Sequence, residues 1–247
     1  MTDNKAVFLD FDGVLFDTIK EAYVLCMFAC EKSKSPEGIN FSSGHYRLFK
    51  NYRFLIRHAW DYHPLLGAID KKLRCPSICV QKEFKFLSSR RISIHRSFER
   101  CFLRIRKHLK DRRYKYWLSL NKPYGFLRGI VKLINTKNRS FFIITTKDKD
   151  SILRLLRVYG IRLPAANIYG RESYLKFKSK GNIINFVKHR DHLGRCIFVD
   201  DSREHISTCK EIPGLDIIHA KWGYTLSGKN HSNAKSVSGK IKKLLGD

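Results

Sequence analysis

The apolar run Ala6-Val-Phe-Leu9 ends in the turn Asp10-Phe-Asp-Gly13, and this junction constrains the chain more than any other stretch. A short apolar run closed by acidic residues and glycine is how a buried parallel strand delivers side chains to its C-terminal edge. Three further runs have this form. Phe141-Phe-Ile-Ile144 ends at Thr145-Thr146, Cys196-Ile-Phe-Val199 ends at Asp200-Asp201, and Leu215-Asp-Ile-Ile-His219 leads into Trp222-Gly-Tyr224. Helical spacing of apolar residues lies between them, over 150–159, 181–188 and 202–210. Strand alternating with helix predicts an α/β fold whose parallel sheet is covered on both faces. In open sheets of this kind ligands gather outside the carboxyl ends of the strands. Those ends carry Asp10, Asp12, Thr145, Asp200 and Asp201, so three strand ends far apart in sequence converge on one small polar site.

The stretch over 18–121 breaks the alternation. It is rich in aromatic and basic residues and reads mostly as helix, with breaks near Ser35-Pro36, His63-Pro64, Cys75-Pro76 and Lys122-Pro123. The expected organisation is therefore an α/β core made of 1–17 and 122–247, with a basic helical domain inserted at 18–121. The formal charge is +27, and residues 18–139 carry 28 Lys and Arg against 8 Asp and Glu. Such an excess draws polyanions without choosing among phosphorylated metabolites, nucleic acid and an anionic membrane surface. From Ser227 onward the sequence is polar, ending in a short basic amphipathic piece, Lys240 to Leu245. This tail is expected to be mobile or loosely docked.

Seven cysteines, an odd number in a chain of 247 residues, do not suggest a disulfide framework and fit a reducing compartment. Cys26/Cys30 and Cys75/Cys79 could form a four-thiolate zinc site, but knuckles usually space cysteines more tightly, and core packing explains Cys26 and Cys30. His45, His58, His63, His95 and His108 show no paired metal spacing and read as surface or core residues. The opening Met1-Thr-Asp-Asn-Lys lacks the layout of a secretory signal, and no stretch approaches the roughly 18 to 20 apolar residues of a membrane span. The expected location is the cytoplasm.

The segment Asp10-Phe-Asp-Gly-Val-Leu-Phe-Asp-Thr18 resembles the first motif of the haloacid dehalogenase superfamily. The remaining family motifs follow in order: Thr145 after its strand, Lys180 some twenty residues before the last acidic pair, and Phe-Val-Asp200-Asp201-Ser in the double-aspartate form. Trp222-Gly-Tyr224 is similar to a segment that often follows the last core strand. The resemblance covers about half the chain and implies a Rossmann-like core with a helical cap, of the phosphoglycolate phosphatase and beta-phosphoglucomutase-like branch. It also implies a Mg2+-dependent phosphoric monoester hydrolase working through an aspartyl-phosphate.

The implied roles agree with the chemistry of phosphoryl transfer, which needs an in-line nucleophile, neutralised equatorial oxygens and a proton for the leaving oxygen. Asp10 would be the nucleophile and Asp12 the general acid/base. Thr145 and Thr146 with Lys180 would hold the phosphate, although Lys176 and Lys178 lie close enough in sequence to compete for the lysine role. Asp10, the Asp12 main-chain carbonyl, Asp200 and Asp201 would bind Mg2+, with Asp201 favoured over Asp200 as the direct ligand. Asp17 is expected to be structural or part of a cap hinge. The presence of Asp12 argues against a dehalogenase.

An inserted cap that closes favours small substrates, so a small phosphorylated metabolite, sugar phosphate first, is the expected partner. Two alternatives stand beside it. One is a nucleic-acid-binding protein with an end-processing phosphatase core, suggested by Arg112-Arg-Tyr-Lys-Tyr-Trp117 and His45-Tyr-Arg-Leu-Phe-Lys50. The other is a sugar phosphomutase, which shares the four motifs.

Overall fold

A computed structural model describes residues 4–33, 35, 38–225 and 232–246. The chain divides into two compact units, one made of Met1–Asp17 with Pro123–Asp247 and the other of Thr18–Lys122. It runs through β1 (Asn4–Leu9) and a two-residue strand, β2 (Phe16–Asp17). Six helices follow: α1 (Ile19–Ala29), α2 (Gly44–Asn51), α3 (Tyr62–Arg74), α4 (Val80–Ser88), α5 (Ile92–Arg112) and α6 (Tyr114–Ser119). The chain re-enters the first unit through β3 (Lys122–Pro123), and Tyr124 N–H donates to Leu15 O at 2.9 Å. Then come α7 (Gly125–Thr136), β4 (Phe141–Ile144), α8 (Lys149–Val158), β5 (Ile168–Tyr169), α9 (Arg171–Phe177) and α10 (Lys180–Arg190). β6 (Leu193–Asp200), α11 (Arg203–Ser207), β7 (Leu215–His219) and α12 (Ser232–Leu245) complete the chain.

The first unit is an α/β core. Its sheet has the order β5-β4-β1-β6-β7, every pairing parallel, with Val7 opposite Phe141 and Ile197 in the central register. Ala6, Val7, Phe8 and Leu9 are all buried, as a central strand covered on both faces requires. Phe8, Phe142 and Phe198 share one face with Ile183, Ile184 and Val187 of α10, and each full burial of such a side chain stabilises by about 1.5–3 kcal/mol. Four of the five strands coincide with apolar runs in the sequence. The fifth, β5, carries no such run because only two residues pair at this edge.

Three sequence expectations are corrected. The tail is not loosely docked where it is described: α12 packs against α7 and β1, with Val237 and Ile241 buried. The part of the expected mobile tail at 227–231 lies outside the described residues. The helix expected over 202–210 ends at Ser207, where the Thr208 hydroxyl donates to His205 O at 2.7 Å. His63-Pro64 does not break a helix but stands in the first turn of α3, where proline costs no internal hydrogen bond.

The second unit is helical and has its own core. Phe49 stacks on Tyr62 at 5.5 Å and Tyr62 on Phe102 at 5.4 Å, tying α2, α3 and α5 together. Glu21 of α1 is fully buried and accepts from Arg106 Nε at 3.1 Å and Trp117 Nε1 at 2.6 Å. Cys26 is buried in α1, whereas Cys75 and Cys79 are exposed, and among the described residues no candidate metal cluster contains a cysteine.

Candidate active site

β1 delivers Asp10 to the carboxyl end of the sheet, where its N–H donates to Val199 O at 2.9 Å. The next residues form a tight loop. Leu15 and Phe16 N–H both donate to Phe11 O at 3.0 Å, and Gly13 N–H donates to Phe16 O at 2.8 Å. Gly13 has φ +94°, and a Cβ there would lie 2.1 Å from Asp201 Oδ2. Glycine is required on both counts.

Of Lys176, Lys178 and Lys180, it is Lys180, the first residue of α10, that reaches this end of the sheet. Its fully buried ammonium lies 2.8 Å from Asp10 Oδ1 and 2.7 Å from Asp200 Oδ2. Lys176 lies over the Phe177 ring instead, and Lys178 caps the end of α9 in a left-handed conformation. Asp200 ends β6. Its other oxygen, Oδ1, accepts from Ser202 N–H at 2.7 Å, and His205 Nδ1 stands 3.6 Å from Oδ2.

Burial pushes the Asp10 carboxyl up, against the pull of Lys180. Asp200 is buried too, yet Lys180 and His205 hold it well below the usual carboxylate range. Between these two anions the Lys180 ammonium is held charged despite its burial. Burial and Lys180 lower His205 and keep it neutral near pH 7.

Asp201 is turned differently from Asp200. Its Oδ2 accepts from Tyr224 N–H at 2.6 Å, and its carbonyl oxygen accepts from His219 Nε2 at 3.0 Å. Gly223 leaves room for this carboxylate, since a Cβ there would stand 2.6 Å from Oδ2. The Trp222-Gly-Tyr224 segment thus shapes the site: Trp222 Nε1 donates to Val14 O at 3.1 Å and Tyr224 OH to Asp17 Oδ1 at 3.0 Å. Asp17 therefore stands in a structural contact.

Thr145 directly follows β4, is buried, and accepts from Lys147 N–H at 3.3 Å; Thr146 beside it is half-buried. Asp148, not Thr145, caps α8, accepting from Ser151 N–H at 2.9 Å. Ser202 caps α11 by accepting from His205 N–H.

Two residues at the site were not picked out by sequence reasoning. Lys147 has a fully buried side chain with its ammonium 3.3 Å from Asp12 Oδ1, and His205 joins Asp10 and Asp200 in a buried cluster. Their signal was positional: Lys147 is two residues beyond Thr145, and His205 lies on the short helix that the acidic pair leads into.

Among the described residues Asp10, Asp12 and Asp200 stand beside the Lys147 and Lys180 ammonium groups, with the Asp201 carboxylate packed against Gly13. Clustered carboxylate oxygens are the donors that a hard divalent cation takes. The donor chemistry therefore fits a metal such as Mg2+.

No protein-family model and no curated protein matches the chain. Solved structures do match it along nearly its whole length. A predicted phosphatase from Clostridium acetobutylicum aligns with TM-score 0.59 at 15% identity, covering 99% of this chain and 100% of that one. A predicted phosphoglycolate phosphatase from Haemophilus somnus 129PT aligns with TM-score 0.58 at 15% identity, over 94% and 92%. A protein from Bacteroides fragilis named as a haloacid dehalogenase-like hydrolase gives 0.54 at 14% identity, over 94% and 93%. With its parallel five-stranded sheet and inserted helical unit, the chain has the fold of the haloacid dehalogenase-like phosphatases.

Proposed function

We propose that the chain is a magnesium-dependent phosphatase that hydrolyses a small phosphorylated metabolite, sugar phosphates foremost, through an aspartyl-phosphate on Asp10. The observation that carries this reading is Lys180, whose buried ammonium bridges Asp10 and Asp200 at 2.8 and 2.7 Å. A lysine so placed keeps Asp10 ionised and aimed, and adds positive charge where a phosphoryl group would sit.

In the first step an Asp10 carboxylate oxygen attacks phosphorus while the bond from phosphorus to the leaving oxygen breaks, and Asp12 gives that oxygen a proton. In the second, Asp12 takes a proton from water as the water oxygen attacks phosphorus, releasing inorganic phosphate and restoring Asp10. Lys147, 3.3 Å from Asp12, orients the acid/base. Thr145 and Thr146 donate to phosphoryl oxygens. Asp10, the Asp12 carbonyl, Asp200 and Asp201 would hold Mg2+, which supplies charge neutralisation and orients the phosphate. The helical unit at 18–122 serves as the cap that selects substrate. Seven free cysteines support a reducing, cytoplasmic setting, and no helix among the described residues is long and apolar enough to cross a membrane.

The test is phosphate release from a panel of sugar phosphates, nucleotides, phospho-acids including 2-phosphoglycolate, and a generic aryl phosphate, with and without Mg2+. Magnesium-dependent release from one class supports the reading and names the substrate class. An isomerised product without net phosphate release assigns a mutase instead, and no turnover by the folded protein overturns both.

A further inference from the structure

The helical unit holds a cavity of about 450 Å3 bounded by α3, α4 and the start of α5, within the size range of small-molecule sites. Its residues all belong to 18–122, and none is used by the chemistry above. One wall is apolar and open to water: Phe86 is 46% exposed and Ile94 43% exposed, beside the partly buried Leu87. Arg90 and Arg91 stand on the turn between α4 and α5, both exposed.

The charge of this cavity is lopsided. Lys32 is neutralised by Asp70 at 2.6 Å. Among the described residues neither Arg90 nor Arg91 has a carboxylate partner, and the Arg90 guanidinium carbon lies over the Phe86 ring, 4.1 Å from its centroid. A guanidinium stacked on an aromatic face keeps its N–H edge available for an oxyanion.

The inner wall is polar. His95 Nε2–H donates to Leu87 O at 3.0 Å, which leaves His95 Nδ1 as the acceptor for His63 Nδ1–H at 2.9 Å. Burial lowers His63. The two arginines are thus the unbalanced charges, placed where an apolar wall meets water.

We propose that this cavity binds an amphiphilic anion: a carboxylate or phosphate head on an unbranched apolar tail, the head on Arg90 and Arg91 and the tail along Phe86 and Ile94. An inorganic anion would leave the apolar wall wet. A neutral apolar molecule would leave two guanidinium groups without counter-charge. The proposal stands whether or not the α/β core is a phosphatase.

The probe is decanoate, below its micellar concentration, titrated into the full chain by calorimetry, with Ile94 and His63 resonances locating the site. Saturable binding that shifts both is expected, with decanol and acetate each weaker by about tenfold or more. Arg90→Ala with Arg91→Ala, both at exposed positions, weakens decanoate by about tenfold, and Ile94→Asp abolishes binding with the circular dichroism unchanged. Equal binding of decanol and decanoate, or decanoate binding untouched by the arginine pair, overturns the proposal. So does adsorption to phosphatidylserine vesicles without saturable decanoate binding, which would make this face a membrane contact.

Discussion

Lys147 places its buried ammonium 3.3 Å from Asp12 Oδ1, so each of the two aspartates flanking Phe11 has a different buried lysine beside it. Lys180 serves Asp10, and Lys147 serves Asp12. In the proposed mechanism these aspartates are the residue that would attack and the residue that would move the proton. Lys147→Met is expected to lower kcat by about tenfold to a hundredfold while leaving KM within a few-fold, because Asp12 acts only as bonds break. Steady-state kinetics check this, and an effect confined to KM would assign Lys147 to substrate binding.

Lys180→Met leaves Asp10 and Asp200, both buried, without their shared cation. Removing one partner of a buried ion cluster costs about 3–5 kcal/mol. Urea unfolding should show that loss, and Asp200→Asn in the Lys180→Met background should recover part of it.

Gly13→Ala meets two obstacles at once, a φ of +94° and a Cβ 2.1 Å from Asp201 Oδ2. The backbone alone costs about 1–3 kcal/mol, and moving Asp201 disturbs its bond from Tyr224. A stability loss together with loss of turnover is expected. Gly125→Ala, where a Cβ meets nothing within 4 Å, is the control that should do neither.

How much of this was legible depends on what each residue needs from the fold. β1, β4 and the end of β6 are buried, which writes contiguous apolar runs into the sequence; β7 is half-buried at the edge with Asp216 exposed, and β5 pairs through two residues and writes no run. Asp10, Thr145, Asp200 and Asp201 stand where strands end, so position alone exposed them. Lys147 and His205 matter through partners far along the chain, Asp12 and Asp10 among them, and no local pattern encodes that. The docked tail was readable: Val237, Ile241 and Leu244 repeat at helical spacing and are buried. Its polar flanks masked that stripe.

Glu21→Ala removes the buried acceptor shared by Arg106 and Trp117. The buried Arg106 guanidinium loses this carboxylate, for an expected loss of about 3–5 kcal/mol. Pairing Glu21→Ala with Arg106→Met should restore much of it in a double-mutant cycle by urea unfolding.

The His63–His95 contact carries a pH signature. Burial and the neighbouring His95 lower His63 in the folded chain, so the unfolded chain takes up a proton at a higher pH than the folded one. Stability from this group is intact above the unfolded histidine value of about 6.5. It falls as pH drops through that value, then levels off below the folded one. Unfolding free energies of wild type and His63→Gln measured across pH 5 to 8 should therefore diverge at pH 7.5 and converge toward pH 5.

In the proposed reaction Asp10 takes the phosphoryl group. The most direct measurement is acid-quenched labelling with a radioactively phosphorylated substrate, followed by peptide mapping. Label is expected on the peptide holding Asp10, more of it in Asp12→Asn, where hydrolysis of the intermediate lacks its base, and none in folded Asp10→Asn. Turnover that persists in Asp10→Asn, or label on another residue, would contradict it.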